Sequence, residues 1–414
     1  MEIFKQTNFD FLGKKWPFII LSLALTALGL ASLAIKGGPK YGIDFTGGAL
    51  MDVNFIKRPP AEDIRSALHK RISGEIEVQE VNNSQGVGNS QEVLITTGVR
   101  EDTVQNTRAD ILAALNAAFN PHAGSKLDIN LAGQSALVDR LRDPLARAGA
   151  ALSDDQLQAL VKRIVDYRSA HSGLIRNLNE LSSVAGVTPQ VLNILNQECF
   201  AGNFAIRSNE VVGPKIGADL RQQAINVVLI ALAAMLVYIA FRFEWIYGVA
   251  AVIAVFHDTI ITIGLFSVFN KPIDLTVIAA LLTLVGYSMN DTIVVFDRIR
   301  ENLRMQMRGS FSHIVNLSIN QTLSRTVLTS GLTFLTALSL LLFGGQVLNG
   351  FSFALVVGII IGTYSSIFIA SPILVFWQDM VESRRRKARP AVVESRPKAV
   401  AGGAKGVKPV KTAK

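Results

Sequence analysis

Apolar residues run along this chain in two rhythms. Six stretches, 17–35, 223–241, 246–268, 275–296, 322–344 and 351–377, are apolar almost without interruption. Each is about 20 residues long, enough to cross the hydrocarbon core of a bilayer as a helix. Between the first and second, residues 36–222 are patterned like a folded domain. Strand-like runs fall at 49–56, 75–81, 92–99 and 203–212, with a turn-rich segment at 82–90. Pro59-Pro60 opens a helix carrying Ile64, Leu68 and Ile72, and a second helix, 102–119, is stopped by Asn120-Pro121. The order β-α-β-β-α-β predicts a ferredoxin-like α+β domain. About 123–200 intervene before its last strand and predict an all-helical insertion. One amphipathic helix there carries Leu157, Leu160, Val161, Ile164 and Val165, and another Val191, Leu192, Ile194 and Leu195. Its part from 164 to 188 resembles a helix-hairpin-helix unit, read here as a protein contact or spacer rather than a DNA-binding element.

Composition agrees with a membrane protein: half of the 414 residues are hydrophobic. The net charge of +9 is placed as topology requires. Lys5, Lys14 and Lys15 precede the first span, and Arg242 separates the second and third. Arg298, Arg300, Arg304 and Arg308 lie in the 297–321 loop, and Arg384, Arg385, Arg386, Lys387 and Arg389 follow the last span. The opposite side has only Lys271 in its short loops. Basic residues concentrate on the cytoplasmic face, so 1–16 and 378–414 are expected in the cytoplasm and 36–222 outside it. A nucleic-acid partner is not expected, because topology already accounts for the charge. From 384 to 414 the tail has no helical period and reads as solvated and disordered. The lone Cys199 excludes an internal disulfide, and the first span reads as a retained anchor.

Five residues bring charge or strong polarity into the spans: His257 and Asp258 in the third, Asn290 and Asp291 in the fourth, and Arg325 in the fifth. A carboxylate in hydrocarbon costs several kcal/mol unless it is paired, protonated or facing water, so such residues are usually functional. Asp258 stands near the midplane, counting about 1.5 Å per residue. Asp291 and Arg325 stand at similar depth near the inner end, where an ion pair between their helices is expected. Desolvation and an arginine partner act on a carboxylate in opposite senses, which suits a group that takes up and releases a proton. The plainer alternative makes these groups static interhelical glue, and Ser288 and Thr292 suit that role. Adjacent residues leave a helix in different directions, so His257 and Asp258 are not expected to face one path together. After the first span, Asp44, Gly47 and Gly48 form an ordering turn that ties the outer domain to the membrane. No zinc spacing, nucleophile elbow or P-loop occurs, so no cofactor and no hydrolytic chemistry are expected. Work must come from an ion gradient or a partner.

Four strings together resemble a known family. They are Tyr41-Gly42-Ile43-Asp44-Phe45-Thr46-Gly47-Gly48, Val212-Gly213-Pro214-Lys215-Ile216-Gly217, His257-Asp258, and the run from Gly286 through Asn290-Asp291 to Asp297-Arg298-Ile299-Arg300-Glu301-Asn302. They resemble the SecF family of the bacterial Sec protein translocase, part of the resistance-nodulation-division (RND) superfamily. The resemblance implies an RND-type half of six transmembrane helices in the inner membrane. It also implies pairing with SecD and association with the SecYEG channel, with YajC and SecA as further partners and an unfolded polypeptide as cargo. Energy would come from the proton-motive force, with the family's proton-relaying aspartate on Asp291 and its arginine on Arg325. The insertion at 123–200 and the long basic tail depart from the family pattern. Two other readings stay open: an RND-type exporter of small molecules or lipids, and a scaffold in which Asp291 is static.

Overall fold

The computed structural model describes residues 7–72, 74–81, 91–99, 104, 106–121, 124–149, 152–242, 244–305, 309–345 and 347–388. A long helix, α1 (Lys15–Ile35), leads to a single helical turn, α2 (Ile43–Thr46), which runs into strand β1 (Gly48–Phe55). Next come α3 (Ala61–His69), β2 (Ile76–Val81), β3 (Gln91–Thr97) and α4 (Thr107–Phe119). The insertion holds β4 (Leu127–Asp128), α5 (Gln134–Arg147), α6 (Asp154–Ala170), a 3₁₀ turn (Leu178–Ser183), α7 (Pro189–Glu198) and β5 (Cys199–Phe200). Strand β6 (Phe204–Val212) closes the domain. The expected turn at 82–90, and the expected start of the second helix at 102, lie outside the described residues, as does the tail beyond 388.

The sheet runs β2-β3-β1-β6, antiparallel throughout, which is the ferredoxin-like order. Strand β1 is central because Ala49, Met51, Val53 and Phe55 alternate into the core, where α3 adds Ile64 and Leu68 and α4 adds Ile111 and Leu115. The insertion has a separate core built on Leu141, Leu160, Val161, Ile164, Leu181 and Leu195. It is not all-helical: β4 and β5 pair in parallel and zip its entry to its exit. Strands of two residues carry no readable alternation. The segment that resembled a helix-hairpin-helix is α6, the 3₁₀ turn and α7. Cys199 is a buried free thiol.

A buried polar latch fastens this base. Asp128 Oδ1 accepts from the backbone N–H groups of Asn130 (2.9 Å) and Gly202 (3.1 Å). Asn130 Nδ2 donates to the carbonyls of Ile175 (3.0 Å) and Gly202 (2.8 Å), and its Oδ1 accepts from Ile175 N–H at 2.8 Å. Arg168 donates to the carbonyls of Ile129 and Ala132. Burial pushes the Asp128 carboxyl up to about 6, against the lowering effect of those N–H groups and of Arg168.

Membrane-length helices follow: α8 (Pro214–Arg242), α9 (Trp245–Val268), α10 (Leu275–Arg304), α11 (Phe311–Phe343), α12 (Asn349–Ser365), a π-helical turn (Ser366–Ala370) and α13 (Ser371–Ala388). With α1 they make, among the described residues, six helices long and apolar enough to cross a membrane, α12 and α13 together counting as one. The helices outrun the apolar stretches. Helix α8 starts at Pro214 rather than 223, and the expected loop 297–321 is largely the end of α10 and the start of α11. Helix α13 enters the basic segment from 384 that was expected to be unstructured. Hydropathy marks where lipid ends, whereas a helix ends where its backbone does, as near Gly309 with φ +141°.

Helices α9, α10 and α12 occupy the middle of the bundle, and α1, α8 and α11 its periphery. Helix α1 crosses α9 so closely at Gly29 and Gly264 that a Cβ on Gly29 would stand 2.8 Å from the Gly264 Cα. Below α1, Phe9 and Phe11 donate backbone N–H groups to Asn320 Oδ1 (2.8 Å) and Asn316 Oδ1 (2.9 Å) of α11.

Gly29→Leu should therefore destabilise the full-length chain in detergent by about 1–3 kcal/mol, read as a lowered thermal midpoint. Gly286→Leu, where nothing lies within 4 Å, should leave the midpoint unchanged. Asp128 makes the second prediction. Its folded value, about 6, exceeds the ordinary 3.8, so its contribution to stability is full below that ordinary value and is lost as pH rises through about 6. The insertion should open at lower urea at pH 8 than at pH 5, and Asp128→Asn should flatten that difference. Alkylation of Cys199, normalised to the denatured chain at each pH, is the measurement.

Candidate functional site

Asp258 and Asp291 are buried among the central helices, Asp258 completely and Asp291 at 2% exposure. The Asp258 Oδ2 accepts from the Ser288 hydroxyl of α10 at 2.5 Å and from the Ser365 hydroxyl of α12 at 2.8 Å. Its Oδ1 lies 2.9 Å from His257 Nδ1. The other ring nitrogen, Nε2, meets the Ser22 hydroxyl of α1. The two neighbours do leave α9 in different directions, His257 toward α1 and Asp258 toward α10 and α12. Their side chains nonetheless bond to each other, so they form a chain across the bundle rather than one face. Tyr364, beside the imidazole, donates to the Phe18 carbonyl of α1 at 2.9 Å.

Small residues make this junction possible. A Cβ on Gly362 of α12 would stand 3.0 Å from the Ser288 Cβ, so only a glycine lets Ser288 sit this close. The π turn begins one residue after Ser365, and Ser371 donates across it to the Ser366 carbonyl at 2.8 Å. Such turns are frequent at functional sites because they swing side chains out of helical register.

Asp291 lies one turn of α10 below Ser288. Its Oδ2 accepts from the Ser330 hydroxyl of α11 at 2.9 Å. The expected ion pair with Arg325 is not formed among the described residues. Ser330 is buried facing α10, and Arg325, five residues earlier, is turned about 140° away on the helix and exposed. Its guanidinium still lies within electrostatic reach of Asp291. Asn290 is also outside the junction, since the step of about 100° from Asp291 puts it on an exposed face. Three of the five expected residues, His257, Asp258 and Asp291, therefore share the interior, while Arg325 and Asn290 do not.

The hydroxyls of Ser22, Ser330 and Ser365 were not singled out by sequence. Serines and threonines abound in these spans, and most bond to the carbonyl four residues back, as Thr262 does to Asp258 and Thr292 to Ser288. Residue type alone does not separate those from the three that reach a titratable side chain. Among the described residues no three His, Cys, Asp or Glu side chains converge as metal ligands would.

At the bundle end bearing the sheet domain, Tyr41 forms an isolated parallel bridge with Ile273, just before α10. Asp44 Oδ2 accepts from the N–H of Leu275, the first residue of α10, at 2.9 Å. The segment read as an ordering turn is thus one helical turn whose carboxylate serves a membrane helix rather than its own backbone. Gly47 and Gly48 follow it into β1.

Known proteins resemble this chain in sequence and fold. The family model described as protein export membrane protein SecD/SecF, C-terminal, matches residues 192–380. A protein translocase subunit SecF from Koribacter versatilis is 46% identical over 94% of this chain and 96% of its own length. One from Desulfurispirillum indicum is 38% identical over 87% of this chain and 88% of its own. The crystal structure of SecDF, a translocon-associated membrane protein from Thermus thermophilus, superposes with a TM-score of 0.59 at 31% identity, covering 90% of this chain but 39% of that one. Identity at this level over nearly the whole of both chains means that the chain belongs to the SecF family of protein translocase subunits.

Proposed function

We propose that this translocase subunit uses the proton-motive force to promote late steps of polypeptide export, with Asp291 as the proton carrier. The observation that carries the reading is the chemistry of its partner. A hydroxyl donates to a carboxylate and accepts from a carboxylic acid, so the Ser330 bond survives in either protonation state. Asp258 is held by two hydroxyls and an imidazole, all able to reverse their role in the same way. A static fold gains nothing from such reversible contacts in hydrocarbon, where neutral side chains make the same joints at lower cost. Arg325 bears on Asp291 through its field, favouring the charged form when α11 brings it nearer.

The orientation follows from the basic residues: Lys15, Arg242, Arg298, Arg300 and Arg304 stand at the bundle end away from the sheet domain. That end is cytoplasmic in this reading, and the sheet domain with its insertion is periplasmic. The chain spans 39% of the SecDF structure it resembles, which supports a partner half of the SecD type and association with the SecYEG channel. The cargo is an unfolded polypeptide. One charge moved through 100 mV supplies about 2.3 kcal/mol, so a few protons suffice to bias a domain movement.

Export into inner-membrane vesicles, with and without a proton gradient, tests this. Asp291→Asn should abolish the gradient-stimulated part and leave the ATP-driven part intact; equal stimulation would refute the proposal. Combining Asp291→Asn with Arg325→Gln separates carrying from charge balance, because a static pair would be rescued and a carrier would not. Ser330→Ala should weaken the stimulation at least about tenfold without abolishing it, since a hydrogen bond to a charged group is worth about 1.5–3 kcal/mol.

A further inference from the structure

Helix α10 carries Asp291 and begins where the sheet domain is attached. The first N–H groups of any helix lack intrahelical partners. Two carboxylates serve them here. Asp274, the N-cap, accepts from Val277 N–H at 2.8 Å, and Asp44 accepts from Leu275 N–H at 2.9 Å. The first is local to the helix. The second arrives from 231 residues away, on α2.

The attachment is built on both sides of Asp44. Toward the bundle, Gly42 donates to the Ile273 carbonyl at 2.7 Å and Ile273 donates back to the Lys40 carbonyl at 2.8 Å. Phe45 plugs the same end, packed with Phe266, Ile273, Val277 and Leu281. Toward the domain, α2 passes into the central strand β1 through Gly47 alone. Gly47 has φ +75°, and a Cβ there would stand 2.6 Å from the Cα of Pro214, where α8 starts. No slack separates α10 from the sheet.

We propose that Asp44 is the positioning residue that transmits movement of α10 to the periplasmic domain, through its bond to the Leu275 N–H. The proposal rests on the reading of Asp291 as proton carrier. Asp274 serves the Val277 N–H from within the chain segment that starts the helix, whereas Asp44 serves the Leu275 N–H from another element. It does what Asp274 cannot, which is to make the start of α10 and the root of β1 move together.

The test measures the distance between spin labels at Asp63→Cys, exposed on α3, and Phe343→Cys, exposed at the end of α11, in the full-length chain in lipid vesicles. Buried Cys199 stays unlabelled. Asp291→Asn, a fixed neutral form, should shift that distance by at least about 2 Å, the scale of helix shifts in switching proteins. The shift should vanish with Asp44→Ala and persist with Asp44→Glu, which keeps the charge and reach. Leu275→Pro attacks the same bond from its donor side. Proline is favoured at the first helical position, and Asp274 is already extended (φ −117°, ψ −177°) as a residue before proline must be. That variant keeps α10 and loses only the N–H, so it too should abolish the shift. A shift that survives both Asp44→Ala and Leu275→Pro overturns the coupling role and leaves Asp291 as carrier. No shift from Asp291→Asn with Asp44 intact sinks the carrier reading, and the coupling role falls with it.

Discussion

The arrangement depends on keeping two carboxylates, Asp258 and Asp291, inside a helix bundle where, among the described residues, no lysine or arginine pairs with either. In a medium of low dielectric an ionised carboxylate demands compensation, and a contacting arginine would hold it in one charge state. Hydroxyls and an imidazole compensate without choosing. That constraint fixes the surrounding sequence. Ser288, Ser330 and Ser365 must point inward from three helices, and Gly362 must be small enough to let α12 reach α10. The interruption at Ser366–Ala370 follows Ser365 directly, so the helix is broken in register where it supplies a ligand. The outward faces of the peripheral helices carry no such demand: they present Leu23, Leu28, Ile230 and Leu332, residues suited to lipid or to a partner helix.

What was legible in sequence, and what was not, divides by geometry. The number of spans follows from composition over about 20 residues. The sheet followed because Ala49, Met51, Val53 and Phe55 alternate over a full strand. Depth in the membrane is a count along the chain, which is why Asp291 and Arg325 were expected near one level. Azimuth is not a count: it depends on which face of α11 meets α10, and that is decided by Ser330, Thr326 and Thr322, all buried along one stripe. Arg325 falls beside the stripe, and Asn290 falls beside Asp291 for the same reason. The link from Asp44 to Leu275 was out of reach, because nothing local marks a carboxylate whose partner lies in another span.

The insertion raises a folding problem that its base resolves. Strand β6 must find β1 across about 150 residues, and unstructured loops of that length close slowly because their closure entropy precedes any gain. Here the insertion folds on its own core and returns its ends to one place. Asn203 donates its backbone N–H to Asn120 Oδ1 at 2.9 Å, and β5 lies against β4. The sheet domain meets a short connection in space where the sequence shows a long one. The Asp128 latch is a costly part of that connection, a carboxylate buried to satisfy the N–H groups of Asn130 and Gly202.

If α10 is clamped at the end that meets the sheet domain, as proposed, the clamp also decides what kind of motion the domain can receive. Asp291 lies 16 residues beyond Leu275, about 24 Å along the helix axis. With the start of α10 tied to α2 and β1, a lateral displacement of about 1 Å at Asp291 becomes a rotation of about 2° at the clamp rather than a translation. A translation would be absorbed where Phe45 meets its apolar pocket, since side chains there can slide. A rotation is not absorbed, because two backbone hydrogen bonds to Ile273 and the Asp44 carboxylate fix direction as well as position. In the proposed coupling, the sheet domain would then turn with the start of α10. Displacement from such a rotation is greatest at the end of β1 away from the bundle, where the insertion joins the sheet.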